Sequence, residues 1–148
     1  LEDYNNKKNV RQLDDPVECL VEYQRVRPWF LQALSNTPTA INEPDIIRRL
    51  GARTLYLHTT DNAAILVEYV TDPYSVRWLN VYLTAGEKNG SIETIKEVFG
   101  ILFELAEKYD HPNILGYGRN GWKKVLEPLG FITTKIDKNY NKYELRRQ

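Results

Sequence analysis

The sequence predicts an α+β domain whose mixed sheet combines an antiparallel meander, a central βαβ unit and a C-terminal hairpin. Three observations lead there. Residues 53–83 run in strand-forming segments separated by turn residues at Asp61-Asn62 and Asp72-Pro73. Residues 91–109 repeat instead at three and four: Ile92, Ile95, Val98, Phe99, Leu102, Leu105, Ala106 and Tyr109 form one stripe, opposite Glu93, Lys96, Glu97, Glu104 and Lys108. The strand at 76–83 feeds this helix through a Gly-containing loop and a further strand follows it, the βαβ order that holds phosphate at a helix N-terminus.

Bulk properties narrow the function. With 148 residues the chain is expected to form a single domain over 10–148 behind a loose polar arm at 1–9. Twenty Lys and Arg balance twenty Asp and Glu. A protein that neutralises many phosphates carries a basic excess, so no nucleic-acid partner is expected. The single Cys19 cannot close an intrachain disulfide, and no His or Cys stands at metal-ligand spacing from it, so no metal site is expected. No run reaches the ~18 apolar residues of a membrane span, and residues 1–8 lack the apolar core of a signal peptide. A soluble, cytoplasmic protein with no membrane partner is the expectation.

In chain order, Val10 to Leu13 reads as a short first strand. Asp15-Pro16 reads as N-cap and first helical position, with Glu18 favourable in the first turn. The helix that follows places Val17, Leu20, Val21, Tyr23, Val26, Trp29, Phe30, Leu31 and Leu34 at helical spacing, and Pro28 predicts a kink or break near Arg27. A loop over 35–39 leads to a second helix over 43–50, stopped by Gly51. Strands are predicted at 53–59, 63–70 and 76–83, a loop at 84–90, and the long helix at 91–109. His111-Pro112 then opens a strand ending at Tyr117, a short helix precedes Leu129-Gly130-Phe131, and a hairpin over 132–145 closes the chain.

This order of elements, with Leu-Gly-Phe after the short helix, resembles the GCN5-related N-acetyltransferase (GNAT) fold from about residue 10 to 145. The resemblance implies acetyl-coenzyme A held in a cleft between the strands before and after the long helix, with its pyrophosphate on amides of the intervening loop. It implies transfer of an acetyl group to an amine on a small molecule or a protein. On that reading Leu83, Ala85, Lys88, Asn89, Gly90, Ser91 and Arg119 are the cofactor-binding candidates. The family's loop has Gln or Arg, two residues, Gly, one residue, then Gly or Ala; here only Gly90 matches, and Glu87 stands in the loop. Leu126 occupies the place, five before Phe131, where the family often has the Tyr that protonates the departing thiolate. The Gly118-Arg119-Asn120-Gly121-Trp122 run resembles small acetyltransferase-like proteins of bacteriophages. With the degenerate loop and Leu126, that implies an alternative, a non-catalytic binding or virion-associated descendant that has lost cofactor binding, whose partners are phage structural proteins, in the virion or the host cytoplasm.

The catalytic candidates are Tyr117 and Glu68. Tyr117 ends the strand at the expected cleft, where its hydroxyl suits a thiolate or an acyl carbonyl; packing beneath the short helix is the other reading. Glu68 suits a base for the amine, or is a solvated strand residue. Arg119 offers a planar fork to phosphate or carboxylate, or a surface salt bridge. His58, His111 and Cys19 read as structural, Trp122 as the anchor of the short helix, and Trp29, Phe30 and Trp78 as core or as walls of an acceptor pocket.

Overall fold

A computed structural model describes residues 10–11, 13–36 and 41–147. Helices α1 (Pro16–Ser35) and α2 (Glu43–Gly51) precede the strands β1 (Tyr56–Thr59), β2 (Ala63–Thr71) and β3 (Arg77–Gly86). Helix α3 (Ile92–Lys108) and strand β4 (Asn113–Arg119) follow. One-turn 3-10 segments at Asn120–Trp122 and Glu127–Leu129 flank the short α4 (Lys123–Leu126), and β5 (Ile132–Asp137) and β6 (Tyr140–Leu145) end the fold. The six strands form one sheet in the order β1-β2-β3-β4-β6-β5. Pairing is antiparallel except between β3 and β4. This is the α+β meander, βαβ unit and hairpin that the patterning predicts. The arm expected at 1–9 lies outside the described residues. Among the described residues no helix is long and apolar enough to cross a membrane.

Local chemistry starts the helices where the sequence places them. The Asp15 carboxylate accepts from the Val17 N–H (3.4 Å) ahead of Pro16, Asn42 accepts from Asp45 (2.9 Å), and Ser91 Oγ accepts from Thr94 (3.1 Å). The break expected near Arg27 does not occur, because α1 runs unbroken through Pro28. Pro28 and Gln24, four residues earlier, both face solvent. Water can therefore take up the carbonyl that proline leaves without a donor, while Val26 and Phe30 pack into the core on the other side.

The sheet separates two apolar layers. On one face α3 and α4 cover Ile65, Val67, Leu79, Ile114 and Tyr143; on the other α1 and α2 cover Leu57, Ala64, Leu66, Leu83 and Ala85. Helix α1 buries a narrower stripe than its sequence suggests. Cys19, Tyr23, Val26 and Phe30 are inside, whereas Val17, Leu20 and Val21 are more than half exposed. Of the predicted strand from Val10 to Leu13, the described residues show one bridge, between Arg11 and Thr59. The strand predicted from Arg53 begins only at Tyr56, because Arg53 adopts a left-handed turn (φ 60°). At the other end β3 extends through Thr84 to Gly86, shortening the predicted loop.

Candidate active site

The two central strands pair briefly and then part. Strands β3 and β4 are in register at Trp78 with Asn113, Leu79 with Ile114 and Asn80 with Leu115, and at no later position. From there β3 continues against β2 while β4 turns to β6. The divergence is reinforced by a bulge: Leu66 opposes Leu83 but Val67 opposes Val81, so Tyr82 is an extra residue on β3. A bulge adds local twist and bends its strand. The Tyr82 side chain is fixed from behind by Asp45 of α2, whose carboxylate accepts its hydroxyl at 3.0 Å, and by the Arg49 guanidinium 5.2 Å from the ring centroid.

The gap is a cleft of about 260 Å³ that passes through the sheet. Thr94, Ile95, Val98 and Trp122 wall its α3 side; Gln32, Asn36, Tyr117, Arg119 and Tyr140 wall its α1 side, with Val81 to Ala85 along one edge. Trp122 takes its place because Gly118 lets it: a Cβ on Gly118 would lie 3.0 Å from the indole. The ring also meets Phe99 edge-on, centroids 6.0 Å apart. Leu126, in the place where a tyrosine acid is common, is fully buried against the core and does not face the cleft.

Tyr117 is 43% exposed and stacks on Tyr140, centroids 6.2 Å apart and planes 13° from parallel. Burial pushes the Tyr140 hydroxyl pKa up. Arg119 stands two residues on, on the same face of β4. It donates from Nη2 to the backbone carbonyl of Asn36 at the end of α1 (2.5 Å).

The loop between β3 and α3 uses many of its own amides. The Gly86 N–H donates to Asn89 Oδ1 (2.7 Å), Glu87 N–H to the Asn62 carbonyl (2.9 Å), and Ser91 N–H to the Lys88 carbonyl (3.1 Å). Asn89 Nδ2 reaches across to Trp29 O (3.0 Å) and Gln32 Oε1 (3.1 Å), tying the loop to α1. Gly90 adopts φ 79°, a left-handed step that glycine takes without strain. With Thr94 capped by Ser91 and Ile95 bonded to the Ser91 carbonyl, the first-turn N–H groups of Ile92 and Glu93 have no intrahelical acceptor. Lys88 and Glu93 pair at 3.6 Å on the exposed rim.

Of the residues singled out in the sequence, Leu83, Ala85, Asn89, Gly90, Tyr117 and Arg119 come together around the cleft. Lys88, Ser91 and Glu68 are not among its lining residues. The Glu68 carboxylate is occupied on both oxygens, receiving Arg49 Nη2 at 2.7 Å and Asn80 Nδ2 at 2.9 Å. Sequence reading missed Gln32, Asn36 and Tyr140. Each belongs to an element that reaches the cleft only through tertiary packing, and no local pattern marks them.

No protein-family profile and no curated protein sequence matches the chain. Solved structures do match in three dimensions. The chain is similar to a GNAT-family acetyltransferase from Listeria monocytogenes (TM-score 0.60, 11% identity, 92% of each chain covered). It is also similar to a chain of the NatC complex bound to Gag peptide and CoA (TM-score 0.65, 11% identity, 94% of this chain and 98% of that one). A third is yncA, a putative acetyltransferase of Salmonella typhimurium solved with acetyl-CoA (TM-score 0.59, 10% identity, 93% and 92% covered). At such identities the likeness establishes the fold, which is that of the GNAT acetyltransferases.

Proposed function

We propose that this protein is an N-acyltransferase that moves an acyl group, acetyl in the first instance, from coenzyme A to an amine. The observation that carries the proposal is the three-residue pairing of β3 with β4, which opens a slot through the sheet beside the start of α3. The residues present fit a pantetheine arm. Leu83, Ala85, Ile95 and Val98 give apolar walls, and the exposed backbone edge beyond the Tyr82 bulge offers amide partners. They fit a pyrophosphate less fully: Gly90, Ile92 and Glu93 amides and the positive end of the α3 dipole favour an anion, while Glu87 and Glu93 oppose it and Lys88 offsets only one of them.

Acyl-coenzyme A bound there would supply a thioester carbonyl activated toward an amine. Tyr117 Oη, which shares the α1-side wall with Tyr140, would hold the proton for a departing thiolate, in the role that Leu126 cannot serve. Glu68, as the base for the amine, would have to act from outside the lining and give up Arg49 or Asn80. Calorimetry with acetyl-coenzyme A tests the reading: a saturable complex supports it, and no heat at millimolar ligand rejects it. Transfer is then tested by Tyr117→Phe, which should lower kcat at least about tenfold with little change in KM if the hydroxyl donates in the transition state.

A second reading is favoured by the same loop, whose Gly86, Glu87 and Ser91 amides are already satisfied within the protein. On this reading the fold is a non-catalytic binding protein. Absence of coenzyme A binding by the folded protein would support it, and a tight stoichiometric coenzyme A complex would count against it.

A further inference from the structure

Charge in the cleft is one-sided. Among the described residues that line it there is no carboxylate, lysine or histidine, and Arg119 is the only charged side chain. Carboxylates on the same face of the sheet have partners of their own: Glu68 pairs with Arg49, Glu144 with Lys142 at 3.6 Å, and Asp137, opposite Tyr140 in the ladder, accepts the Asn139 N–H at 3.1 Å. Arg119 has no carboxylate partner among the described residues. One Nη is held by the Asn36 carbonyl, which fixes the guanidinium; among the described residues nothing takes the rest of its five-donor fork. In the ladder Arg119 lies opposite Tyr140, and Tyr117 lies opposite Lys142, so the stacked tyrosines form a flat platform directly beside the guanidinium.

A fixed cation with no counter-charge, at the wall of an otherwise uncharged cleft, favours an anionic group and disfavours a cationic one. We propose, resting on the acyltransferase reading, that the acceptor is an amine that itself carries a carboxylate and an apolar or aromatic body. The carboxylate takes the open fork of Arg119, and the body lies on Tyr117 and Tyr140. Polyamines, aminoglycoside-like polycations and lysine-rich tails are disfavoured, because no carboxylate among the described residues lines the cleft to receive their charge. Arg119 is thus assigned to acceptor selection; its bond to the end of α1 places it on the α1 side, away from Ile95 and Val98.

The test compares phenylalanine, 2-phenylethylamine and spermine as acceptors, following thiol release from acetyl-coenzyme A, for the native protein, Arg119→Gln and Arg119→Lys. Calorimetry with acetyl-coenzyme A alone runs in parallel. Phenylalanine should exceed 2-phenylethylamine by about tenfold or more in kcat/KM, with spermine lower still. Arg119→Gln should bring that ratio close to one through KM for phenylalanine and leave acetyl-coenzyme A affinity within about threefold. Arg119→Lys, which keeps the charge, should retain part of the preference. Spermine or 2-phenylethylamine matching phenylalanine overturns the inference. So does an Arg119→Gln variant that binds acetyl-coenzyme A weakly yet keeps the acceptor preference. Failure of acetyl-coenzyme A to bind defeats the acyltransferase reading instead. The charge preference is then read by titrating phenylalanine and 2-phenylethylamine against tryptophan fluorescence, where equal affinity, or none for either, overturns it.

Discussion

The Asn89 side chain accepts the Gly86 N–H at 2.7 Å, so a side chain, three residues on, sits where an anion would otherwise meet that amide. The same side chain donates to Trp29 O and Gln32 Oε1 on α1. One residue therefore shapes the loop and anchors it across the cleft.

Asn89→Ala should loosen both attachments. Leaving the partly buried Gly86 amide and the Trp29 carbonyl without these partners costs about 1–3 kcal/mol. Urea unfolding reads the loss. Acetyl-coenzyme A affinity should fall with it, because the amides of Gly90 and of the first turn of α3 lose their fixed orientation; unchanged affinity would show that the loop is set by other contacts.

Gly90→Ala isolates backbone strain. A Cβ there would meet nothing within 4 Å, so its φ of 79° is the whole problem. The expected loss is about 1 kcal/mol, with Gly90→Asn recovering part of it, since asparagine tolerates the left-handed region. Thermal unfolding of the two variants checks the order.

Glu68→Gln separates architecture from catalysis. Arg49 and Glu68 side chains are 18% and 23% exposed, and removing one charge leaves the other mostly shielded and unpaired. Stability should fall by about 2 kcal/mol. The alkaline rise of the rate should stay where it is and move only when the acceptor amine is exchanged, because no carboxylate or histidine among the described residues lines the cleft. A rise displaced by Glu68→Gln would make Glu68 the base.

His58 predicts an acid-sensitive fold. It is 7% exposed, and Tyr69 Oη lies 3.3 Å from its Nε2. Burial, aided by the Lys108 charge and weakly opposed by Asp14, pulls its pKa from 6.5 to about 4. The unfolded chain therefore takes up a proton near pH 6.5 that the folded ring does not hold until near pH 4. Stability is full above that window and is lost as pH falls through it, by up to about 1.4 kcal/mol per pH unit. Carboxylates held low by arginine, such as Glu22 beside Arg25 and Glu43 beside Arg27, add their losses at more acidic pH. Urea midpoints between pH 7 and 5 should decline for the native protein and stay flatter for His58→Phe.

Much of the fold was legible because it is written in local spacing. The period of α3, the caps at Asp15, Asn42 and Ser91, and the turns at Asp61 and Asp72 depend on residues within a few positions of one another. The site was legible in part. Gly90, Asn89, Tyr117 and Arg119 lie at strand and helix ends, where chain order alone predicts a cleft, whereas Gln32 and Asn36 look like the trailing end of a surface helix. Pro28 misled for a physical reason: its cost depends on whether the freed carbonyl faces water, which sequence does not state.

By itself, then, the sequence determined the elements, their order and the α+β class, since hydrophobic periodicity and capping act within single elements. Tertiary structure alone decided where β3 and β4 part, that Arg119 meets Asn36 across 83 residues, and that Tyr117 stacks on Tyr140. Those contacts depend on strand register, on the bulge at Tyr82 and on how α1 lies across the sheet, and each is fixed by many residues distant in the chain.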